Sequence, residues 1–291
     1  MNFTTLTPEK LLDLRRHFDI DYGICDFTFG ANYMWCDYFK SSYAISSKGV
    51  LIIASADEAN YSYPIGRGND RDALTELAEY VSAQNKTFIL DRVPCEKIDE
   101  ILKLFKRGKT DEIPKLWWDY VYEIDALAQM TGKKYNGPRN HINKFVREYP
   151  SAVFKLIEEN DLSACKEFLS EYVKGHDKSS DSYKHDNRAT LRVLDNYSKL
   201  GFVGGAVFNE GKVLAFAIGE KLGETLYVQI EKCSKEVPSV SKYLVREFAK
   251  MGQRLGVKFV NRAEDLGDEG IRYSKEHYNP IRLEKKYKII I

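Results

Sequence analysis

Phe202-Val-Gly-Gly-Ala-Val-Phe208-Asn209-Glu-Gly-Lys212-Val213-Leu-Ala-Phe-Ala-Ile218 is the stretch on which the fold turns. Two apolar runs, too short for helices and rich in β-branched and aromatic residues, flank a polar four-residue turn with glycine, which predicts a β-hairpin. Thr225-Leu-Tyr-Val-Gln-Ile230 adds a further strand. Upstream, the periodicity predicts a strand over 153–157, a helix over 161–174 and a second helix over 187–200. Downstream it predicts a helix over 239–255 and a strand over 258–260.

The first half repeats that succession. Thr7-Pro8 opens a helix with Leu11, Leu12, Leu14 and Phe18 at helical spacing. Strands over 43–46 and 50–54, joined through Ser47-Lys-Gly49, predict a hairpin, and residues 61–66 read as another short strand. A helix over 70–85, a strand over 87–90 and a helix over 95–106 complete the half. Two similar successions predict an α+β fold of two domains, each a mixed, mostly antiparallel sheet flanked by helices. The expected division is 1–128, a connecting segment 129–150, and 151–291, in line with the usual ~100–200 residues per domain.

The composition is that of a folded chain: 43% of the 291 residues are hydrophobic and 13% aromatic. Forty-four Lys and Arg against 43 Asp and Glu leave a net charge of +1, so no global field draws the protein onto DNA, RNA or an anionic membrane, and any polyanion contact must be local. No apolar run of about 18 residues occurs and the N-terminus has no signal-peptide pattern, so a cytoplasmic protein is expected. Cys25, Cys36, Cys95, Cys165 and Cys233 are scattered without a C-x-x-C pair, and His17, His141, His176, His185 and His277 show no ligand spacing. Reduced thiols and no metal follow.

Two polar segments carry the chemistry. Residues 261–280 gather Glu264, Asp265, Asp268, Glu269, Gly267, Gly270, Arg272 and Lys275 between the run 257–260 and the final run 283–291. Polar residues at the end of a buried strand line ligand crevices, and glycines there let backbone approach a ligand. A solvated helix with ordinary surface charges is the alternative. Residues 131–147 carry five cations and no acid: Lys133, Lys134, Arg139, Lys144 and Arg147. With Asn140 and Asn143 they suit phosphate or an RNA backbone, unless they are the solvated face of a linker helix whose inner face is Ile142, Phe145 and Val146. The aromatic run Tyr33-Met-Trp35-Cys-Asp37-Tyr38-Phe39 reads as core packing or a binding platform, and Trp117 to Tyr122 as a strand.

Gly132-Lys133-Lys134-Tyr135 with Arg139-Asn140-His141-Ile142-Asn143-Lys144-Phe145, together with Asn261-x-x-Glu264-Asp265-x-Gly267-x-x-Gly270-Ile-Arg272-x-x-Lys275-x-x-Tyr278-x-Pro280, resemble the DUF2156 family, whose fold is that of the C-terminal domain of phosphatidylglycerol lysyltransferase. Cys25-Asp26-Phe27-Thr28-Phe29 with Asn32, Tyr33 and Trp35 is similar to the family's opening motif. The resemblance implies two tandem acetyltransferase-like domains, related to enzymes that move an aminoacyl group from charged tRNA to a lipid or peptidoglycan precursor. It also implies a soluble, stand-alone version without the membrane-spanning half of the full lysyltransferases. The family pattern has an acid where this chain has Ala263.

Acetyl-CoA binding calls for a glycine-rich turn into a helix N-terminus, and residues 231–244 contain no glycine. The expected reaction is therefore aminoacyl transfer from tRNA to a lipid headgroup or other small acceptor, without a bound cofactor. The alternatives are an inactive RNA- or metabolite-binding protein on the same fold and an acetyl-CoA-type N-acyltransferase. Asn261, Glu264, Asp265, Arg272 and Lys275 are the expected catalytic residues. Glu264 or Asp265 would orient the nucleophile or the aminoacyl ammonium, Arg272 and Lys275 would stabilise negative charge, and Asn261 would give a neutral hydrogen bond. Asp265 with Arg272 reads equally as a structural ion pair. Lys133, Lys134, Arg139, Asn140, Asn143, Gly267, Gly270 and Tyr278 are the expected substrate-binding residues.

Overall fold

The computed structural model describes residues 1–175 and 180–291; His176 lies outside the described residues. In chain order the elements are β1 (Thr4–Thr5), α1 (Pro8–Leu14), α2 (Phe29–Trp35), β2 (Ser42–Ile45), β3 (Leu51–Ala54), α3 (Asp70–Ser82), β4 (Ile89–Pro94), α4 (Ile98–Phe105), β5 (Lys109–Glu112), β6 (Asp119–Glu123), α5 (Ile124–Gln129) and α6 (Asn136–Glu148). There follow β7 (Val153–Leu156), α7 (Leu162–Lys174), α8 (Asp181–Asp195), α9 (Tyr197–Leu200), β8 (Val203–Asn209), β9 (Lys212–Leu222), β10 (Thr225–Cys233), α10 (Val240–Arg254), β11 (Phe259–Asn261), α11 (Glu269–Glu276), β12 (Arg282–Glu284) and β13 (Lys286–Ile290). The chain is α+β, with mixed sheets.

Contacts divide it into two units, one of residues 1–119, 264–266 and 283–291, the other of residues 120–263 and 267–282. This differs from the expected 1–128, 129–150 and 151–291. Residues 120–150 group with the second unit, because β6 pairs antiparallel with β11 and α10 packs on α5 and α6. The C-terminal strand β13 belongs to the first unit, where it fills the gap between β4 and β5.

In the first unit, Thr7 caps α1 by accepting from the Lys10 N–H, as Thr7-Pro8 predicted. β1, β2 and β3 form an antiparallel sheet, and β4, β13 and β5 a second one. The strand expected at 61–66 is reduced to isolated bridges, with Tyr61 pairing to both Ala54 and Leu90. Leu74, Leu77 and Val81 of α3, Ile52, Leu90 and Tyr63 are fully buried and form its core.

The second unit carries the strand run β6-β11-β10-β9-β8-β7. The predicted hairpin over residues 202–218 is β8 and β9, and β10 follows antiparallel to β9. A bulge sits between Val228 and Ile230 of β10. Opposite it, a Cβ on Gly219 would lie 2.3 Å from the Tyr227 carbonyl oxygen, so only glycine permits this close approach. β10 and β11 are parallel, but their pairing ends at Tyr227 and Asn261 while β10 runs on to Cys233. On α6, Ile142 and Phe145 are buried as expected, whereas Val146 is 46% exposed. Val146 is one residue past Phe145, a turn of about 100° that carries it off the buried stripe.

Candidate active site

The polar segment after β11 folds as a tight turn and a short helix. Asn261 is fully buried, and its Oδ1 accepts from the Ala263 N–H at 2.8 Å. Ala263, Leu266 and Gly267 all take left-handed φ angles, of 52°, 54° and 80°. Two non-glycine residues in that region cost of order 1 kcal/mol or more each, and the surrounding bonds must hold them there. Lys275 does part of this: its buried ammonium donates to the carbonyls of Arg262 and, at 3.1 Å, Ala263. Asp268 caps α11 through the Ile271 N–H at 2.9 Å. Lys275 is thus occupied in shaping the turn, Arg272 is half-buried on α11, Gly267 and Gly270 are exposed, and Asp265 is fully buried.

Glu264 leads to a cluster within the first unit. Its Oε2 lies 3.2 Å from the Cys25 Sγ, which in turn lies 3.3 Å from Asp119 Oδ1, and the Cys25 N–H donates to Asp119 Oδ2 at 2.6 Å. Lys286 from β13 enters from the other side. Its Nζ is 2.7 Å from Asp119 Oδ1, 2.6 Å from Asp26 Oδ2 and 3.6 Å from Glu264 Oε2. Arg92 adds a second cation, with Nη1 2.9 Å from Asp26 Oδ1. Asp119 and Lys286 are sealed from solvent, while Glu264 (19%), Asp26 (14%) and Arg92 (33%) keep part of their side chains exposed.

The electrostatics follow from this packing. Burial would lower the Lys286 pKa, but the Asp119 and Asp26 carboxylates, with Glu264, outweigh it and push it well above the ordinary lysine value. Burial would raise Asp26, yet Lys286 and Arg92 hold it below the usual carboxylate range. Burial and then the Asp119 and Glu264 charges raise the Cys25 thiol well above its ordinary value, so it is a protonated donor and not a thiolate nucleophile. Donor atoms of Cys25, Asp119 and Glu264 lie within 4.8 Å of one another, a spacing suited to a metal. The Lys286 ammonium, however, already contacts all three side chains and supplies the compensating charge.

Of the expected catalytic residues, Glu264 alone joins this cluster. Asp119, Lys286 and Arg92 carry no local sequence signal of a site, and Cys25 and Asp26 stand out only as part of an opening motif.

A second ion pair sits in the other unit where β10 and β11 part. Arg262 Nη2 binds Glu231 at 3.0 and 2.8 Å, with the Tyr278 and Tyr122 rings 5.0 and 5.9 Å from its guanidinium carbon. Arg262 is 8% exposed, and its Nη1 has no hydrogen-bond partner among the described residues. An adjoining cavity of about 10 Å³, lined by Leu127, Leu244, Phe248 and Val260, has room for one water at most. Tyr278 is fully buried here, and its carbonyl accepts from the Tyr135 hydroxyl at 3.1 Å. Its place is structural packing around Arg262. Burial, followed by the opposing Glu231 and reinforcing Arg262 charges, lowers the Lys242 pKa.

The basic segment separates into two roles. Arg139 donates to the Met130 and Gly132 carbonyls at 2.5 and 2.9 Å and to Asn136 Oδ1, so it locks the loop into α6. Lys133, Lys134, Asn140, Asn143, Lys144 and Arg147 are exposed. The described residues contain no helix long and apolar enough to cross a membrane.

The protein resembles, over its full length, a Bacteroides thetaiotaomicron protein of unknown function (25% identity, 100% of this chain and 99% of that one, TM-score 0.87). Its fold is also that of a DUF2156 C-terminal domain from Agrobacterium fabrum (11% identity, 98% and 92% coverage, TM-score 0.67) and of L-PGS from Bacillus licheniformis (16%, 97% and 90%, TM-score 0.66). The family model described as phosphatidylglycerol lysyltransferase, C-terminal, matches residues 18–290, nearly the whole chain and both clusters, and the chain belongs to that family.

Proposed function

We propose that the protein transfers an aminoacyl group from aminoacyl-tRNA to a lipid headgroup or other small acceptor in the cytoplasm, on two tandem acetyltransferase-like domains. The observation that carries this reading is the Glu264–Cys25–Asp119–Asp26–Lys286 cluster: three carboxylates fixed around one buried ammonium, with the Glu264 and Asp26 edges open to solvent. A carboxylate so placed offers a charge-assisted hydrogen bond to an aminoacyl ammonium. Lys286 and Cys25 fix its orientation beforehand, which removes reorganisation from the reaction.

In the transfer, the acceptor hydroxyl or amine adds to the ester carbonyl, its proton passes to a carboxylate, and the 3′-oxygen of the tRNA leaves with a proton. Glu264 is assigned to the ammonium or the nucleophile. Lys275 and Asn261 act by holding the turn next to Glu264. Lys133, Lys134, Lys144 and Arg147, with Asn140 and Asn143, supply donors to the phosphate backbone of the tRNA.

The test is binding of charged tRNA, uncharged tRNA and acetyl-CoA across a salt series, followed by transfer of a labelled aminoacyl group to phosphatidylglycerol vesicles. Salt-sensitive tRNA binding and label in the lipid fraction, lost in Glu264→Gln, are expected. No tRNA binding, with or without acetyl-CoA binding, overturns the reading.

A further inference from the structure

The aromatic run at the end of α2 is left unexplained by the aminoacyl reading, and its geometry adds to it. α2 stops at Trp35, and a turn closed by the Phe39 N–H on the Trp35 carbonyl (3.0 Å) sets Tyr38 and Phe39 outward. They are 37% and 42% exposed, unlike Tyr33 and Met34 of the same run, which are core. Trp35, Tyr38 and Phe39 brace one another, with ring centroids 5.2–6.0 Å apart. Arg92 stands between this shelf and the carboxylates. Its guanidinium carbon is 5.7 Å from the Phe39 ring and 5.5 Å from the Trp117 ring, while its Nη1 holds Asp26 at 2.9 Å. Arg92 also has a left-handed φ of 55°, a strained conformation that persists only where its surroundings fix it.

One guanidinium thus joins an exposed π-surface to the Asp26–Glu264 carboxylate cluster within the first unit. We infer that the Tyr38–Phe39 shelf stacks the terminal adenine of the aminoacyl donor, while Asp26 and Glu264 receive the ammonium of the aminoacyl group on the same nucleoside. An aminoacyl adenosine carries both matching features: a flat base and a cation one ribose away. Aromatic stacking tolerates any base and any aminoacyl side chain, so the shelf recognises the invariant end of the donor and leaves amino-acid selection to the carboxylate side. Arg92 contributes on both flanks, by cation–π contact to the shelf and by orienting Asp26. The inference rests on the aminoacyl-tRNA reading above.

The experiment measures binding of the full chain to amide-linked 3′-lysyl and 3′-alanyl adenosine, which do not hydrolyse, and to lysine amide and alanine amide, by calorimetry and tryptophan fluorescence. Wild type should prefer the adenosine conjugates by about tenfold or more, the span expected for one stacked base. Phe39→Ala should abolish that preference without weakening the amides, and Phe39→Tyr should retain it; Phe39 and Tyr38 are exposed, and circular dichroism checks that the variants fold. Phe39→Ala and Tyr38→Ala variants that keep the full preference, or that lose the amides equally, overturn the shelf and leave the donor reading standing. No preference in the wild type also overturns the shelf, and if charged tRNA fails to bind as well, the donor reading falls with it.

Discussion

Lys286 Nζ lies 2.7 Å from Asp119 Oδ1, with 1% and 0% of the two side chains exposed. An ammonium buried to that degree is tolerable because Asp26 and Glu264 add further negative charge within 3.6 Å. Removing it leaves Asp119 and Asp26 uncompensated. Lys286→Met is expected to destabilise the protein by about 3–5 kcal/mol, read from urea unfolding. The double variant Lys286→Met/Asp119→Leu should cost less than the sum of the two single changes, and strict additivity would show that the pair is not coupled.

The same cluster sets the response to acid. Because the folded-state pKa of Asp26 lies below its ordinary value, its ionised form stabilises the fold above the unfolded-state pKa near ~3.9, and that contribution is lost as pH falls through the lower folded value. Lys286 has the opposite sense. With its folded pKa raised, it stabilises fully below the unfolded value of about 10.4 and loses this only as pH rises through the folded one. The melting temperature should therefore stay near a plateau from about pH 5 to 9 and fall in acid below about pH 4. Asp26→Asn should lower the plateau and flatten the acid limb; an unchanged limb would place the acid sensitivity elsewhere.

Periodicity makes most elements of the second unit legible. The β8–β9 hairpin, α10 and the amphipathic α6 follow from residues local to each other, and local patterns carry that information. β13 is different: nothing in Leu283 to Ile291 says that it pairs with β4 and β5, far earlier in the chain. The site divides the same way. Glu264 stands out because it lies in a dense polar segment, and Cys25 and Asp26 because they match a motif. Asp119, Arg92 and Lys286 are single charges in unremarkable surroundings, and only the long-range packing brings them to one point. Arg139 reads as a phosphate ligand because its sequence neighbours do not say where the Met130 and Gly132 carbonyls lie.

Glu231 and Arg262 give a second test of buried charge. Arg262 is held by two hydrogen bonds to Glu231, and Glu231→Gln would leave its guanidinium enclosed by Tyr122, Tyr278 and apolar side chains. The expected loss is about 3–5 kcal/mol, whereas Glu231→Leu/Arg262→Met, which removes both charges, should be far milder. Urea midpoints with unchanged slopes would measure both. A double variant as unstable as the single one would mean that the pair also shapes the backbone where β10 and β11 part.

The α6 face separates a binding role from a structural one. Lys144 and Arg147 are exposed, and the Lys144 contact with Glu148, at 3.8 Å on the surface, is weak enough to yield to a phosphate. If α6 meets the tRNA backbone, Lys144→Ala and Arg147→Ala should each weaken binding regardless of tRNA sequence. Each should also reduce the slope of log affinity against log salt by about 0.7–0.9, the value for one phosphate no longer neutralised by the protein. Arg139→Ala should do something else, because its guanidinium is committed to the Met130 and Gly132 carbonyls. It should lower the melting temperature, through hydrogen bonds to a charged group worth roughly 1.5–3 kcal/mol each, while leaving the salt slope unchanged. A reduced slope for Arg139→Ala, with none for Lys144→Ala or Arg147→Ala, would reverse the two roles and move the nucleic-acid contact to the Gly132 loop.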